Sequence, residues 1–208
     1  MKKFLVLAAA VMTLSTAAQA QVKIGVKVGS SLSNQERNDV STSKLISNNA
    51  FKGYHAGLIA DLPLSAHLSL QPQLLYAKKG VKYTGAFGTD AKLTMHSVEI
   101  PVNLLYKIEV PMGKIFAGAG PVIGYGFSGK LVNNGQTKKM YTNEMNNWSH
   151  LDISANALAG IEFNNGFFAS LQYQHGFKDQ YKTEAVNVKN RSIALSVGYF
   201  LNWKKAKS

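Results

Sequence analysis

The sequence predicts an all-β protein, an eight-stranded antiparallel up-and-down β-barrel that spans a membrane with its strands. Three observations carry this. Apolar and polar residues alternate with period two through most of the chain, the mark of strands with two different faces. Connections between the alternating runs switch between tight turns and long polar loops. Composition is 46% hydrophobic and only 16% charged over 208 residues, against about 25% charged in soluble domains.

The first twenty residues stand apart. Met1, Lys2 and Lys3 form a basic start, Phe4 to Leu14 is an apolar run, and Ala18-Gln19-Ala20 has the small-x-small form of a secretory cleavage site. The run is shorter than the roughly 20 residues a spanning helix needs, which favours a cleaved signal peptide over 1–20 rather than an anchor. A mature barrel domain over 21–208 follows. Loss of Lys2 and Lys3 lowers the formal charge from +12 to +10.

The barrel begins at Val22-Lys23-Ile24-Gly25-Val26-Lys27-Val28-Gly29, with Val and Ile on one face and Lys and Gly on the other. Six further strands are expected near 52–62, 67–78, 95–108, 113–128, 151–163 and 166–177, each long enough for the about 9–11 tilted residues that cross hydrocarbon. The last strand alternates Ile193, Leu195, Val197, Tyr199, Leu201 and Trp203 with Ser192, Ala194, Ser196, Gly198, Phe200 and Asn202. Pro63-Leu64-Ser65, Val110-Pro111-Met112 and Asn164-Asn165-Gly166 read as tight turns. The stretches near 32–51, 79–94, 129–150 and 178–190 read as long loops. Short periplasmic turns, four long extracellular loops and an even strand number are the layout of an outer-membrane barrel.

The two faces differ sharply. An outward set of Tyr54, Leu58, Leu74, Val98, Ile100, Val102, Leu104, Ile153, Phe167 and Leu171 carries no charge, whereas Lys23, Lys27, Asp61, Gln73, Glu99, Asn103, Lys107, Asn156, Glu162 and Gln172 fall on the opposite face. This predicts a polar, charge-bearing interior, and Lys27, Glu99, Lys107 and Glu162 are the candidate luminal ion-pair network, since a buried charge must be paired or hydrated. The inverse arrangement, apolar side inward, would be a secreted soluble barrel. Two aromatic groups argue for the membrane: Tyr76, Tyr125, Phe127 and Phe177 toward the long loops, and Tyr106, Phe163, Phe167 and Trp203 toward the short turns.

Chemistry-bearing motifs are few. The absence of cysteine excludes disulfides, thiol catalysis and Cys-ligated metal. Gly124-Tyr125-Gly126-Phe127-Ser128-Gly129 has a dinucleotide-loop spacing, but nothing after it reads as a helix start. The five histidines show no metal-ligand spacing. Ser149, His150 and Asp152 could compose an acyl-transfer site, though a polar loop base accounts for them as well. The expectation is no enzyme, no cofactor and no metal. The positive charge lies in loops and their bases, at Arg37, Lys44, Lys79, Lys82, Lys92, Lys130, Lys138, Lys139, Lys178, Lys182, Lys189 and Arg191. Its expected partner is lipid of the outer membrane, the anionic glycolipid of the outer leaflet in particular, and not nucleic acid.

The segments GYHAGLIADL (53–62), LQPQLLYAKKG (70–80), VEIPVNLLY (98–106), GAGPVIG (118–124) and SVGYF (196–200) resemble the small outer-membrane β-barrel domain often called the porin family and common in Bacteroidota. Gln73 stands where that family often has a carboxylate. Ser196-x-Gly198-x-x-Leu201-x-Trp203 is similar to the C-terminal signal read by the outer-membrane assembly machinery, followed here by Lys204 to Ser208. Pro72, Pro101 and Pro121 fall inside predicted strands without the N–H a ladder uses, which implies either bulges or strand ends other than those given, and their place within the family-like segments favours bulges. The resulting expectation is a barrel of the bacterial outer membrane with a side-chain-filled lumen, structural or surface-interacting in role. The alternative is a narrow channel or transport accessory, and a lipid-modifying enzyme ranks third.

Overall fold

A computed structural model of the chain describes residues 22–38, 47–86, 89–133, 135–140, 149–177 and 187–201. It is a closed antiparallel barrel of eight strands: β1 (Lys23–Asn38), β2 (Ser47–Pro63), β3 (Leu68–Ala86), β4 (Thr89–Val110), β5 (Gly113–Asn133), β7 (Leu151–Phe163), β8 (Phe167–Gly176) and β9 (Asn187–Leu201). Each strand pairs with its chain neighbours, β9 pairs with β1, and the short β6 (Gln136–Lys139) extends the wall beside the end of β5. Closure matters because no sheet edge is left to face lipid within the barrel wall. The signal-peptide stretch, the 39–46 connection and Trp203 lie outside the described residues.

Alternation is carried into three dimensions, with one change of face in β5 at the bulge around Phe127 and Ser128. Leu58, Leu74, Ile100, Leu104, Ile123, Ile153, Leu171 and Leu195 are exposed on the outer wall, while Lys27, Gln71, Gln73, Glu99, Asn103, Asn156 and Gln172 are buried within. The tight turn at Asn164–Gly166 closes through Gly166, whose φ of +91° is open to glycine at little cost. Tyr76, Tyr125, Phe127 and Phe177 ring the outer wall at the long-loop end and Tyr106, Phe163 and Phe167 at the other, joined there by Tyr199 packed 4.8 Å from Phe167.

Three expectations are corrected. First, the strands run beyond the bilayer-length segments: β3 reaches Ala86 and β4 starts at Thr89, so most of 79–94 is hairpin and not loop. Its Lys, Gly and Thr content imitates loop composition, but alternation persists, and Val81, Leu93 and Met95 point inward to form an apolar cluster with Met140.

Second, the interior is not uniformly polar. Ile59, Phe168 and Phe200 form one luminal cluster and Leu105, Phe116 and Leu158 another. An eight-stranded barrel has to be filled by side chains, and apolar ones fill volume without requiring partners.

Third, the prolines sit in unbroken register. Pro72 opposes Val102, Pro101 opposes Val122 and Pro121 opposes Ala155. The register shifts lie elsewhere, between Ala50 and Tyr54, Tyr83 and Ala86, and His96 and Ser97. In an antiparallel ladder each N–H faces only one neighbouring strand. A proline therefore removes one bond and leaves the register intact.

Candidate functional site

The lumen is where this chain concentrates its charged chemistry. Near the short turns, Lys107 sits between two carboxylates, pairing with Asp61 and, at 3.2 Å, with Glu162. Glu162 also receives Lys23. One level up, Lys27 is 1% exposed and donates to the side-chain oxygens of Gln73 and Gln172, each at 3.2 Å. Above that, Lys79 pairs with Glu99 at 2.6 Å and donates to Gln174 at 2.9 Å. Asn190 donates to Asp152 at 3.2 Å, and His55 meets Ser196 at 2.9 Å.

The four candidate network residues all lie within the barrel, but they do not form one group. Lys107 and Glu162 meet directly, whereas Glu99 takes Lys79 as its partner and Lys27 is held by two amides. Lys79 was expected on the outer surface. It is luminal because β3 continues its alternation through Gln71, Gln73, Leu75, Ala77 and Lys79, a pattern the sequence already contained. Gln73, standing where a carboxylate was expected by family likeness, binds Lys27 without an opposing charge. Among the described side chains the lumen holds Lys23, Lys27, Lys79 and Lys107 against Asp61, Glu99, Asp152 and Glu162, so it is neutral overall.

Two luminal amides stand out. Asn103 of β4 and Asn156 of β7 are both aligned with Gly120 of β5, one on each side. They are 0% and 3% exposed, and neither amide has a protein partner among the described residues. An unpaired buried amide costs about 1–3 kcal/mol.

Ser149, His150 and Asp152 do not assemble into a nucleophilic site. Ser149 Oγ donates to the Leu151 carbonyl at 3.0 Å, while the His150 ring lies 5.4 Å from the outward Tyr125 ring with Nδ1 at 2.7 Å from the Gly126 carbonyl. Gly124 and Gly126 lie on β5 facing the lumen, with strand on both sides. No cluster of metal-ligating residues occurs among the described residues.

Of the assembly-signal residues, Leu201 projects outward beside β1 and Trp203 lies outside the described residues. Gly198 opposes both Lys27 and Phe168. A Cβ there would lie 2.3 Å from Phe168 Cζ and 2.3 Å from the Val26 carbonyl oxygen. Its smallness thus serves the seam where the barrel closes.

No curated protein matches the sequence. Among solved structures, the attachment invasion locus protein Ail of Yersinia pestis is 13% identical, with 87% of this chain and 99% of that chain covered at a TM-score of 0.48. Neisserial surface protein A is 15% identical, with 86% and 98% covered at 0.49. The N-terminal β-barrel domain of Pseudomonas aeruginosa OprF is 12% identical, with 87% and 100% covered at 0.37. The family model described as an outer membrane protein beta-barrel domain matches residues 17–182, most of the chain. With its closed barrel, apolar outer wall and paired aromatic rings, the chain belongs to the outer membrane protein beta-barrel domain family and is a protein of the bacterial outer membrane.

Proposed function

We propose that this protein is a closed, non-conducting barrel that anchors an extended set of loop-end hairpins at the cell surface and braces the envelope. The observation that carries this reading is the filled lumen. Three apolar clusters alternate with a neutral set of ion pairs along its length, leaving no continuous charged path for a solute. Conductance measured on the folded protein in a planar bilayer tests it: no channel steps are expected, and stable, repeated steps would establish the porin-like reading instead.

The observation that favours the channel alternative is the pair of unpartnered buried amides, Asn103 and Asn156, at the level of Gly120. They are flanked by bulky apolar residues, Leu105, Phe116 and Leu158 on the short-turn side, which in this proposal close the lumen below them. We further assign residues 1–20 to a cleaved signal peptide and the Gly198, Leu201 and Trp203 pattern to recognition by the assembly machinery. No catalytic step is assigned. Outer-leaflet lipid, with anionic glycolipid foremost, is the proposed partner of the basic long-loop end.

A further inference from the structure

Outside the lumen, the wall of β3, β4 and β5 carries an unusual group just beyond the long-loop aromatic ring. His96 lies opposite Lys78 in the β3–β4 ladder. Its Nδ1 is 2.6 Å from the Tyr76 hydroxyl, which leaves Nε2 as the ring nitrogen free to meet a ligand. Lys78 and Lys130 both lie within electrostatic range of the imidazole. Lys130 projects from β5, level with Thr94, two residues from His96 along β4. The Lys78 ammonium is 5.7 Å from the centre of the Tyr54 ring. Tyr76 touches Tyr54, His96 and Phe127, with ring centres 6.1, 5.9 and 6.3 Å away. The result is two cations and an imidazole set at the top of a continuous aromatic face.

Among the described side chains no carboxylate answers these cations. Among described side chains, Asp61, Glu99, Asp152 and Glu162 belong to the lumen, and the outward Glu109 is at the opposite end of the barrel, paired with Lys114 at 2.9 Å. Across the barrel wall, β1 presents Ser30 and Leu32 at the long-loop end. Among the described side chains the cations of β3, β4 and β5 thus have no carboxylate beside them, at the height where lipid headgroups meet the protein.

We propose that Lys78, His96 and Lys130 form a binding site for the phosphate of a single anionic lipid of the outer leaflet, whose acyl chains run down the Tyr76, Phe127 and Val98 face. The chemistry is complementary at both ends: ammonium and N–H donors for phosphate oxygens, and an aromatic and aliphatic wall for hydrocarbon. The proposal gives the lipid partner named above a specific place on the molecule, and it stands independently of whether the lumen conducts.

The test is binding of phosphatidic acid to the folded protein in a neutral detergent, read as the one-to-one adduct by native mass spectrometry. The compact band of the unheated protein on a gel serves as the folding control. Wild type should retain one phosphatidic acid in preference to phosphatidylcholine. Lys78→Gln with Lys130→Gln should weaken that binding about thirtyfold, two near-surface lysines being removed. The charge-matched control Lys114→Gln with Lys204→Gln should change it by less than about threefold. Equal weakening in the two double variants would reduce the effect to general surface charge and overturn the proposal. So would equal retention of phosphatidylcholine, or displacement of the lipid by millimolar inorganic phosphate, which would mark a free-anion site.

Discussion

Replacing Lys107 with methionine probes the luminal network at its most connected point. The substitution keeps an unbranched chain of similar length and removes only the charge. In the wild type the ammonium pairs with Asp61 and lies 3.2 Å from Glu162; at an effective dielectric of about 20, one contact at this distance is worth roughly 5 kcal/mol before desolvation. Glu162 retains Lys23 after the change, but Asp61, 1% exposed, loses its only ammonium partner among the described contacts. Breaking a buried pair in this way costs about 3–5 kcal/mol, because the remaining charge stays buried and uncompensated. Urea unfolding of the protein in lipid vesicles, followed by loss of the compact gel band, measures the cost. Adding Asp61→Asn to Lys107→Met removes the stranded charge and should recover more than half of the loss. A single-variant cost below about 1 kcal/mol would refute the reasoning, since it would mean that bulk water reaches Asp61 and screens it.

Three further outcomes follow from the wall and its seam. Val102→Arg places a charge at mid-strand on the lipid face and should cost about 2–4 kcal/mol in vesicle unfolding; a cost near zero would put Val102 away from the bilayer midplane. Gly198→Val drives a side chain into Phe168 and the Val26 carbonyl and should destabilise by about 1–3 kcal/mol, in pure lipid as much as in cells. Trp203→Ala should lower the outer-membrane level in cells while leaving folding into pure vesicles intact, and deletion of Lys204 to Ser208 should do little; equal defects in both settings would reduce Trp203 to an interfacial anchor.

Which way each residue faces was legible from alternation alone. Ile24, Val26 and Val28 could only be placed outward once Lys23 and Lys27 were placed inward, and the same logic held through β7 and β8. Two kinds of information were not local. Which luminal residues meet depends on the stagger of the closed barrel: Lys23 and Glu162 are 139 positions apart, and no spacing rule relates them. Alternation marks Lys107 and Glu99 as luminal at different heights of one strand, but not which residues of other strands meet them, so the pairing of Lys107 with Glu162 and of Lys79 with Glu99 appears only in three dimensions. The extended β3–β4 hairpin was hidden for a different reason. Its Lys, Gly and Thr residues suit a loop by composition, and only the inward series of Val81, Leu93 and Met95 reveals a strand. Phe200 falls opposite the outward series of its strand by alternation, but its packing 4.9 Å from Phe168 joins two strands and appears only in three dimensions.

The central claim, a lumen sealed from solvent, is tested most directly by thiol accessibility, because the chain contains no cysteine and single-cysteine variants report without background. Asn156→Cys places a thiol in the middle of the lumen, and Gln136→Cys places one on the exposed β6 as a reference. Treated with a charged, membrane-impermeant maleimide in lipid vesicles, the Gln136→Cys variant should label rapidly. The Asn156→Cys variant should label only after unfolding in urea. Labelling of Asn156→Cys in the folded barrel at a rate comparable to Gln136→Cys would contradict the account and make the lumen a path for solutes.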